Sequence, residues 1–132
     1  MNQFTFIIII FAVISVFLTY IKKLGTSGGV KISPTDAKKR LDTEKGIVLL
    51  DVRTRNEYLE KHIPKSILIP VDVLENEVTR KFGDKNTEII VYCRSGSRSS
   101  MAVKILAKLG YTNIKNLGGI VSWPYETVSG NK

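Results

Sequence analysis

Cysteine and histidine are almost absent from this chain: Cys93 and His62 are the only residues of their types among 132. One thiol cannot form an internal disulfide bond, and nothing else in the sequence indicates an oxidising compartment. One cysteine and one histidine also cannot build a structural zinc site unaided, so we predict neither a metal nor a cofactor. The composition therefore excludes folds that depend on disulfide bonds or on structural zinc.

Charged side chains are absent from residues 1–21, and the run Phe4–Ile21 is nearly all apolar. As a helix this run is about 27 Å long, which is close to the hydrocarbon thickness of a bilayer. A cleaved signal peptide is the alternative, but such a peptide begins with cations and ends in small residues. Here the start is uncharged and the end is Thr19-Tyr20-Ile21. We therefore predict a membrane anchor over residues 1–21.

Cations are also absent before the apolar run, whereas Lys22 and Lys23 follow it directly. The positive-inside rule then places the rest of the chain in the cytoplasm, which predicts a single-pass protein of the plasma (inner) membrane. Residues 22–45 carry seven cations and three anions, a balance that an anionic lipid surface attracts. We predict no nucleic-acid binding, because the cations lie among anions and lack an aromatic stacking pattern.

The stretch "LGTSGGV" (24–30) is rich in glycine and indicates that residues 22–30 form a basic, flexible linker. Residues 31–130 then form one globular domain in which strand and helix signals alternate. Continuous apolar runs predict buried strands at 47–52 and 88–93, with shorter strands at 67–70 and 113–117. Helices are predicted from Pro34, within 54–62, over 71–82 and from Arg98 to Leu109, with a turn and short helix at 118–126. This order predicts an α/β domain with a parallel sheet and helices on both faces.

Cys93 lies at the carboxyl end of the predicted strand 88–92, the edge of a parallel sheet where ligands bind. Small residues after it allow backbone N–H groups to turn inward as an anion-binding nest, and a helix begins at Arg98. The nest, the helix dipole and two guanidiniums favour the thiolate, which predicts a Cys93 pKa below about 8.5. An inert buried cysteine is the alternative, but it would not require the basic loop Arg94-Ser95-Gly96-Ser97-Arg98.

Two further residues have structural interpretations. His62 is the only candidate base for a cysteine–histidine hydrolase, but a lone histidine beside Pro64 is more often structural. A thiol that its own loop activates needs no such base. Trp123 is interpreted as part of the core or of the wall of the site.

Four motifs together resemble a single-domain rhodanese, a sulfurtransferase, from about Ile32 to Glu126. The sequence "LLDVRTRNEY" (49–58) resembles the family's Asp-Val-Arg segment, and "HIPKSILIP" (62–70) its His-Ile-Pro segment. The sequence "VYCRSGSRS" (91–99) matches the active-site loop, and "LGYTNIKNLGGIVSW" (109–123) matches the closing segment. Lys61 and Lys65 stand where the family often has glycine, in a connection away from Cys93.

The resemblance implies a reaction and roles for the site residues. Cys93 would take sulfur from a sulfane donor such as thiosulfate, become a persulfide, and pass the sulfur to cyanide or a thiol. A protein acceptor is possible and unidentified. The amides from Arg94 to Arg98 would stabilise the charged terminal sulfur. By family likeness Arg98 would anchor the loop through Asp51 or Glu57, and Arg94 would face incoming anionic donors.

Two rival functions share this fold. Related phosphatases have five residues between the cysteine and the arginine of the loop, which leaves room for a tetrahedral phosphate. Only four residues separate Cys93 from Arg98 here, and the smaller loop fits a single sulfur better. A membrane-tethered adaptor without catalysis is the second rival, and the intact cysteine loop argues against it.

Overall fold

A computed structural model of the chain describes residues 1–24 and 29–131, with the backbone alone at residues 22–24. The described residues form one parallel sheet of five strands in the order β1-β5-β4-β2-β3. The strands are β1 Val30–Lys31, β2 Val48–Asp51, β3 Ile67–Leu68, β4 Ile89–Cys93 and β5 Ile114–Gly119. The helices are α1 Gln3–Leu24, α2 Pro34–Thr43, α3 Arg55–Glu60, α4 Leu74–Lys81 and α5 Ser97–Lys108. Two short 3-10 turns cover Val71–Val73 and Ile120–Ser122.

Side-chain caps fix where two of the helices begin. Ser33 caps α2 by accepting a hydrogen bond from the Asp36 backbone N–H, and Pro34 occupies the first helical turn. Thr54 and Glu57 form a reciprocal capping box at the start of α3. The sequence order from Ser33 to Glu57 thus already contains the signals that start both helices.

The core has two parts, one on each face of the sheet. On one face α4 and α5 cover a cluster that includes Leu50, Val91, Cys93 and Leu106. On the other face α2 packs Ala37 against a cluster that includes Leu49, Ile90, Tyr92 and Trp123. Strands that are buried on both sides explain the continuous apolar runs in the sequence. The predicted α/β fold with helices on both faces is confirmed.

Several boundaries differ from the prediction. The edge strand β1 is not predicted, because its two residues are exposed and it exists only by pairing with β5. The strand predicted at 113–117 continues to Gly119, since its ladder with β4 shifts register after Val91. The helix predicted over 71–82 starts as a 3-10 turn before α4. Residues 25–28 of the predicted linker lie outside the described residues.

Helix α1 is long and apolar enough to cross a membrane, judged by its length and composition. Every residue of its candidate span Gln3–Ile21 is exposed. A signal sequence near an N-terminus has the same properties, so this helix alone gives only weak support for the predicted anchor.

Candidate active site

The structure places Cys93 as the last residue of β4, paired in register with Gly119 at the end of β5. Its side chain is only 1% exposed and contributes to the core cluster under α5. The backbone N–H of Gly96 donates a hydrogen bond to Cys93 Sγ over 3.0 Å. Gly96 itself has a φ of +113°, a left-handed conformation that glycine adopts at little cost. The loop therefore turns back over the sulfur and aims backbone donors at it.

Two opposing effects set the pKa of the Cys93 thiol. Burial raises this pKa, because it disfavours the charged thiolate. The Ser99 backbone N–H and hydroxyl, followed by the N–H groups of Gly96 and Ser95, lower it and outweigh burial. The net result is a Cys93 pKa below its ordinary value, as the sequence predicts. Ser99 was not among the predicted site residues, although its place in the first turn of α5 could have indicated it.

Replacing Ser99 by alanine should raise the Cys93 pKa. The Ser99 hydroxyl has one proton, which it donates either to the sulfur or to the Gly96 carbonyl 2.9 Å away. Alanine removes that donor and loosens Gly96 but keeps the backbone N–H, so the shift should be partial. The measurement is the rate of Cys93 alkylation by a small neutral reagent as a function of pH, whose midpoint should move to higher pH.

The matched control is Ser100→Ala, because the Ser100 hydroxyl accepts from Asn116 and is not among the groups that shift the thiol. Its alkylation midpoint should stay at the wild-type pH. An unchanged or lower midpoint for Ser99→Ala would mean that the hydroxyl does not stabilise the thiolate.

Arg98 is held by Glu57, one of the two acids proposed for it. Its two terminal nitrogens donate to the two carboxylate oxygens over 2.6 and 2.9 Å. The Arg98 guanidinium lowers the pKa of Glu57 to about 2 against the opposing effect of burial, so the pair stays charged at neutral pH. Because Glu57 also caps α3, this pair ties the start of α5 to the start of α3. The loop between Cys93 and Arg98 is thereby fixed at both ends.

Asp51, the other acid proposed as an Arg98 partner, is engaged elsewhere. It is fully buried and accepts hydrogen bonds from the backbone N–H, Nε and Nη2 of Arg53. Arg53 Nη2 also donates to the Lys61 carbonyl over 2.8 Å. Of the two candidate acids, Glu57 and not Asp51 therefore pairs with Arg98, because the Arg53 guanidinium already satisfies the Asp51 carboxylate. Asp51 instead fixes the chain that connects β2 to β3.

The rest of the predicted loop faces outward. Arg94, Ser95 and Ser97 are exposed, so the Arg94 side chain is free to meet an anion that arrives from solvent. The Arg94 carbonyl points the other way and accepts from the Val121 N–H over 3.2 Å. A Cβ atom on Gly119 would lie 2.4 Å from that carbonyl oxygen. Gly119 is thus a second residue that the sequence-based prediction missed, although the glycine pair at 118–119 was a signal.

His62 and Trp123 take structural places. His62 is fully buried, its ring stacks on Tyr58 at 3.7 Å, and Nδ1 lies 2.8 Å from the Tyr58 carbonyl oxygen. Trp123 closes the core on the α2 side and lines a pocket of about 230 Å³ there with Leu41 and Pro64. Within residues 1–24 and 29–131 no group of three potential metal ligands comes together.

Comparison with known proteins shows which family the chain resembles. Residues 33–125 match the Rhodanese-like domain. The thiosulfate sulfurtransferase PspE of Escherichia coli (strain K12) is 35% identical over 71 residues, which are 54% of this chain and 68% of that protein. A sulfurtransferase of Allochromatium vinosum is 31% identical over 94 residues, 70% of this chain and 86% of that protein.

Solved structures agree with the sequence comparison. A structure described as a rhodanese with anions from E. coli aligns with a TM-score of 0.60 at 32% identity, and covers 64% of this chain and 99% of its own. These relatives support sulfurtransferase activity of the rhodanese type in general. The chain belongs to the family of rhodanese-like domains.

Proposed function

We propose that this protein moves sulfane sulfur from a donor such as thiosulfate to a thiol or cyanide acceptor through a persulfide on Cys93. The observation that carries the proposal is the thiol with a lowered pKa under a loop of inward-facing N–H donors. A thiolate is the nucleophile that this chemistry needs, and preorganised donors stabilise negative charge where it develops. A relative that is named a thiosulfate sulfurtransferase supports thiosulfate as the donor.

The proposed reaction has two displacement steps. The Cys93 thiolate attacks the outer sulfur of thiosulfate, the sulfur–sulfur bond of thiosulfate breaks, and sulfite leaves with the bonding electron pair. A thiolate or cyanide then attacks the outer sulfur of the Cys93 persulfide, which releases an acceptor persulfide or thiocyanate. The Cys93 thiolate is regenerated, so no external oxidant or reductant is required. The N–H groups of Ser95, Gly96 and Ser99 would stabilise the charged sulfur in both steps.

The loop geometry favours sulfur over the phosphate of the rival phosphatases. The N–H of Gly96 lies within hydrogen-bonding distance of Sγ, and Ser95 and Ser99 also lower the pKa of the thiol. These donors converge on one atom. A phosphate would need a wider ring of donors around three oxygens, as the longer loop of the phosphatases provides.

The purified protein should gain one sulfur atom on Cys93 when it is incubated with thiosulfate. Intact-mass measurement and peptide mapping under non-reducing conditions would locate the added sulfur, and cyanide or a reductant should remove it. Incubation with sulfite is the control, because sulfite lacks a sulfane sulfur. No gain of sulfur with thiosulfate or with any other sulfane donor would contradict the proposed reaction.

We also propose that α1 anchors the protein in the plasma (inner) membrane with the domain in the cytoplasm. The helix is apolar throughout its candidate span, and Lys22 and Lys23 follow that span. Cations beside the span resist translocation. A reducing compartment also supplies the thiols that the second step consumes.

Two single-cysteine variants should reveal this topology in cells. Because Cys93 is buried, the reporters are Asn2→Cys and the exposed site Lys61→Cys, each combined with Cys93→Ser. A thiol reagent that cannot cross membranes should label position 2 in intact cells, and position 61 only after permeabilisation. Denatured samples control for reactivity. Labelling of position 61 in intact cells, or loss of position 2 by cleavage, would contradict the anchor.

A further inference from the structure

Negative charge is unevenly distributed in this domain. Of the twelve acidic residues, eleven lie from Asp36 to Glu88 and the last is Glu126. Residues 89–125 therefore contain no carboxylate side chain, although they carry five cations. This segment forms β4, α5 and β5, and β5 pairs with the edge strand β1. The part of the fold that β1, β5 and α5 form thus has an excess of positive charge that the formal net charge does not reveal.

Three exposed lysines lie on this side of the fold. Lys31 on β1 is in register with Asn116, whose amide donates to Ser100 on α5, so Lys31 lies on the face of the sheet that α5 covers. Lys104 follows Ser100 by one helical turn, and Lys108 follows Lys104 by another. Met101 is 54% exposed on the same helix. We call this surface, made of Lys31, Met101, Lys104 and Lys108, the basic face.

The chain from the proposed anchor enters the domain beside the basic face. A Cβ atom on Gly29 would lie 2.7 Å from Val103 Cγ1, so the chain passes against α5 immediately before β1. Four residues separate Leu24, the last residue of α1, from Gly29, so the Cα atoms of Leu24 and Gly29 are at most about 18 Å apart. An α1 helix that crosses a bilayer therefore keeps α5 within a short distance of the lipid headgroups.

We propose that the basic face docks onto anionic lipid headgroups of the leaflet from which α1 emerges. The inference rests on the proposed anchor, and it adds which surface of the domain meets the membrane. Lysines near an anionic leaflet are attracted to it, and an exposed apolar side chain such as Met101 fits between headgroups. Helix α5 begins directly after the Cys93 loop, so docking holds that loop beside the lipid surface. Helix α2 lies on the opposite face of the sheet and therefore faces the cytoplasm.

The test uses the full chain reconstituted into vesicles of phosphatidylcholine, with or without added phosphatidylglycerol. A fluorophore is attached at Met101→Cys or at the α2 position Thr35→Cys, each combined with Cys93→Ser, and the lipids carry a headgroup quencher. Position 101 should be quenched more than position 35, and only with phosphatidylglycerol. High salt should weaken this quenching, because it screens surface charge.

Charge reversal provides the matched control. Each lysine in contact with an anionic leaflet changes the ratio of docked to free domain by about fivefold, so the loss of three such charges lowers that ratio on the order of a hundredfold. The charge reversals Lys31→Glu, Lys104→Glu and Lys108→Glu together should lower it at least that much. Lys39→Glu, Lys45→Glu and Lys61→Glu make the same change in net charge outside the basic face. Docking turns α2 away from the leaflet, so Lys39 and Lys45 should not meet lipid although they belong to the basic segment 22–45, and these three changes should leave the quenching nearly unchanged.

Flotation of the vesicles separates the two proposals. A chain that floats with the vesicles but shows equal quenching at positions 101 and 35 retains the anchor and overturns the docking surface. An equal loss of quenching in both triple variants also overturns it, because net charge alone would then explain the attraction. A chain that fails to float overturns the anchor, and the docking surface with it.

Discussion

Replacing Cys93 by serine should abolish sulfur transfer from thiosulfate, with a loss on the order of 10⁴-fold or more. A serine hydroxyl stays protonated at neutral pH and forms no persulfide, so the first displacement has no nucleophile. The Gly96 N–H can still donate to the new oxygen, and the side chain is of similar size. The free energy of unfolding should therefore change by no more than about 1 kcal/mol.

The serine variant also separates the rival functions. A phosphatase that uses the same cysteine would lose phosphate-ester hydrolysis in Cys93→Ser and would show no thiosulfate-dependent thiocyanate formation in the wild type. An adaptor would lose neither activity, because it would have none. Thiocyanate formation that persists in Cys93→Ser, with the loop confirmed to be folded, would place the chemistry at another group and contradict the proposed role of the thiol.

Replacing Gly119 by alanine should reduce kcat/KM for sulfur transfer on the order of 100-fold. The added Cβ would meet the Arg94 carbonyl oxygen at 2.4 Å and the Ser95 Cα at 2.8 Å, so the loop must move away from β5. A displacement of about 1 Å at a reacting centre is enough for a loss of this size. Overpacking of this kind also costs about 1 to 3 kcal/mol of folding free energy.

Gly46→Ala is the matched control for this prediction. Gly46 has a φ of +84° and open space around it, so alanine there is strained without meeting another atom. This variant should lose about 1 to 2 kcal/mol of stability and keep its activity. If Gly119→Ala and Gly46→Ala lost activity in proportion to stability alone, the contact between Gly119 and the loop would have no special role in positioning Cys93.

Comparison of the two variants therefore tests the contact between Gly119 and the Cys93 loop, which the sequence alone does not predict. Gly119 is 26 positions from Cys93 and becomes its neighbour only through the pairing of β4 with β5. The register shift after Val91 decides that Cys93 lies opposite Gly119. Without that shift, Gly118 would lie opposite Cys93 instead.

The sequence by itself determined the fold class of this protein and indicated Cys93 as the nucleophile that we propose. Strands buried on both faces need continuous apolar runs, and helix starts need capping side chains, so both leave local signals in the residue order. The basic loop after Cys93 is equally local, because its donors come from the residues that follow the thiol. These features could be predicted because the groups that interact are close along the chain.

Only the tertiary structure decided which acid holds Arg98 and which residues crowd the loop. Asp51 ends β2 and Glu57 follows in α3, so both acids lie shortly after the same strand. Arg53 pairs with Asp51 inside the core, and Glu57 is the acid that pairs with Arg98. Neither β5 nor α5 contains a carboxylate side chain, and both lie beside β1. They do so because the sheet pairs β1, the first strand in the sequence, with β5, the last. Such outcomes depend on distances between residues far apart in the chain, and no local pattern encodes those distances.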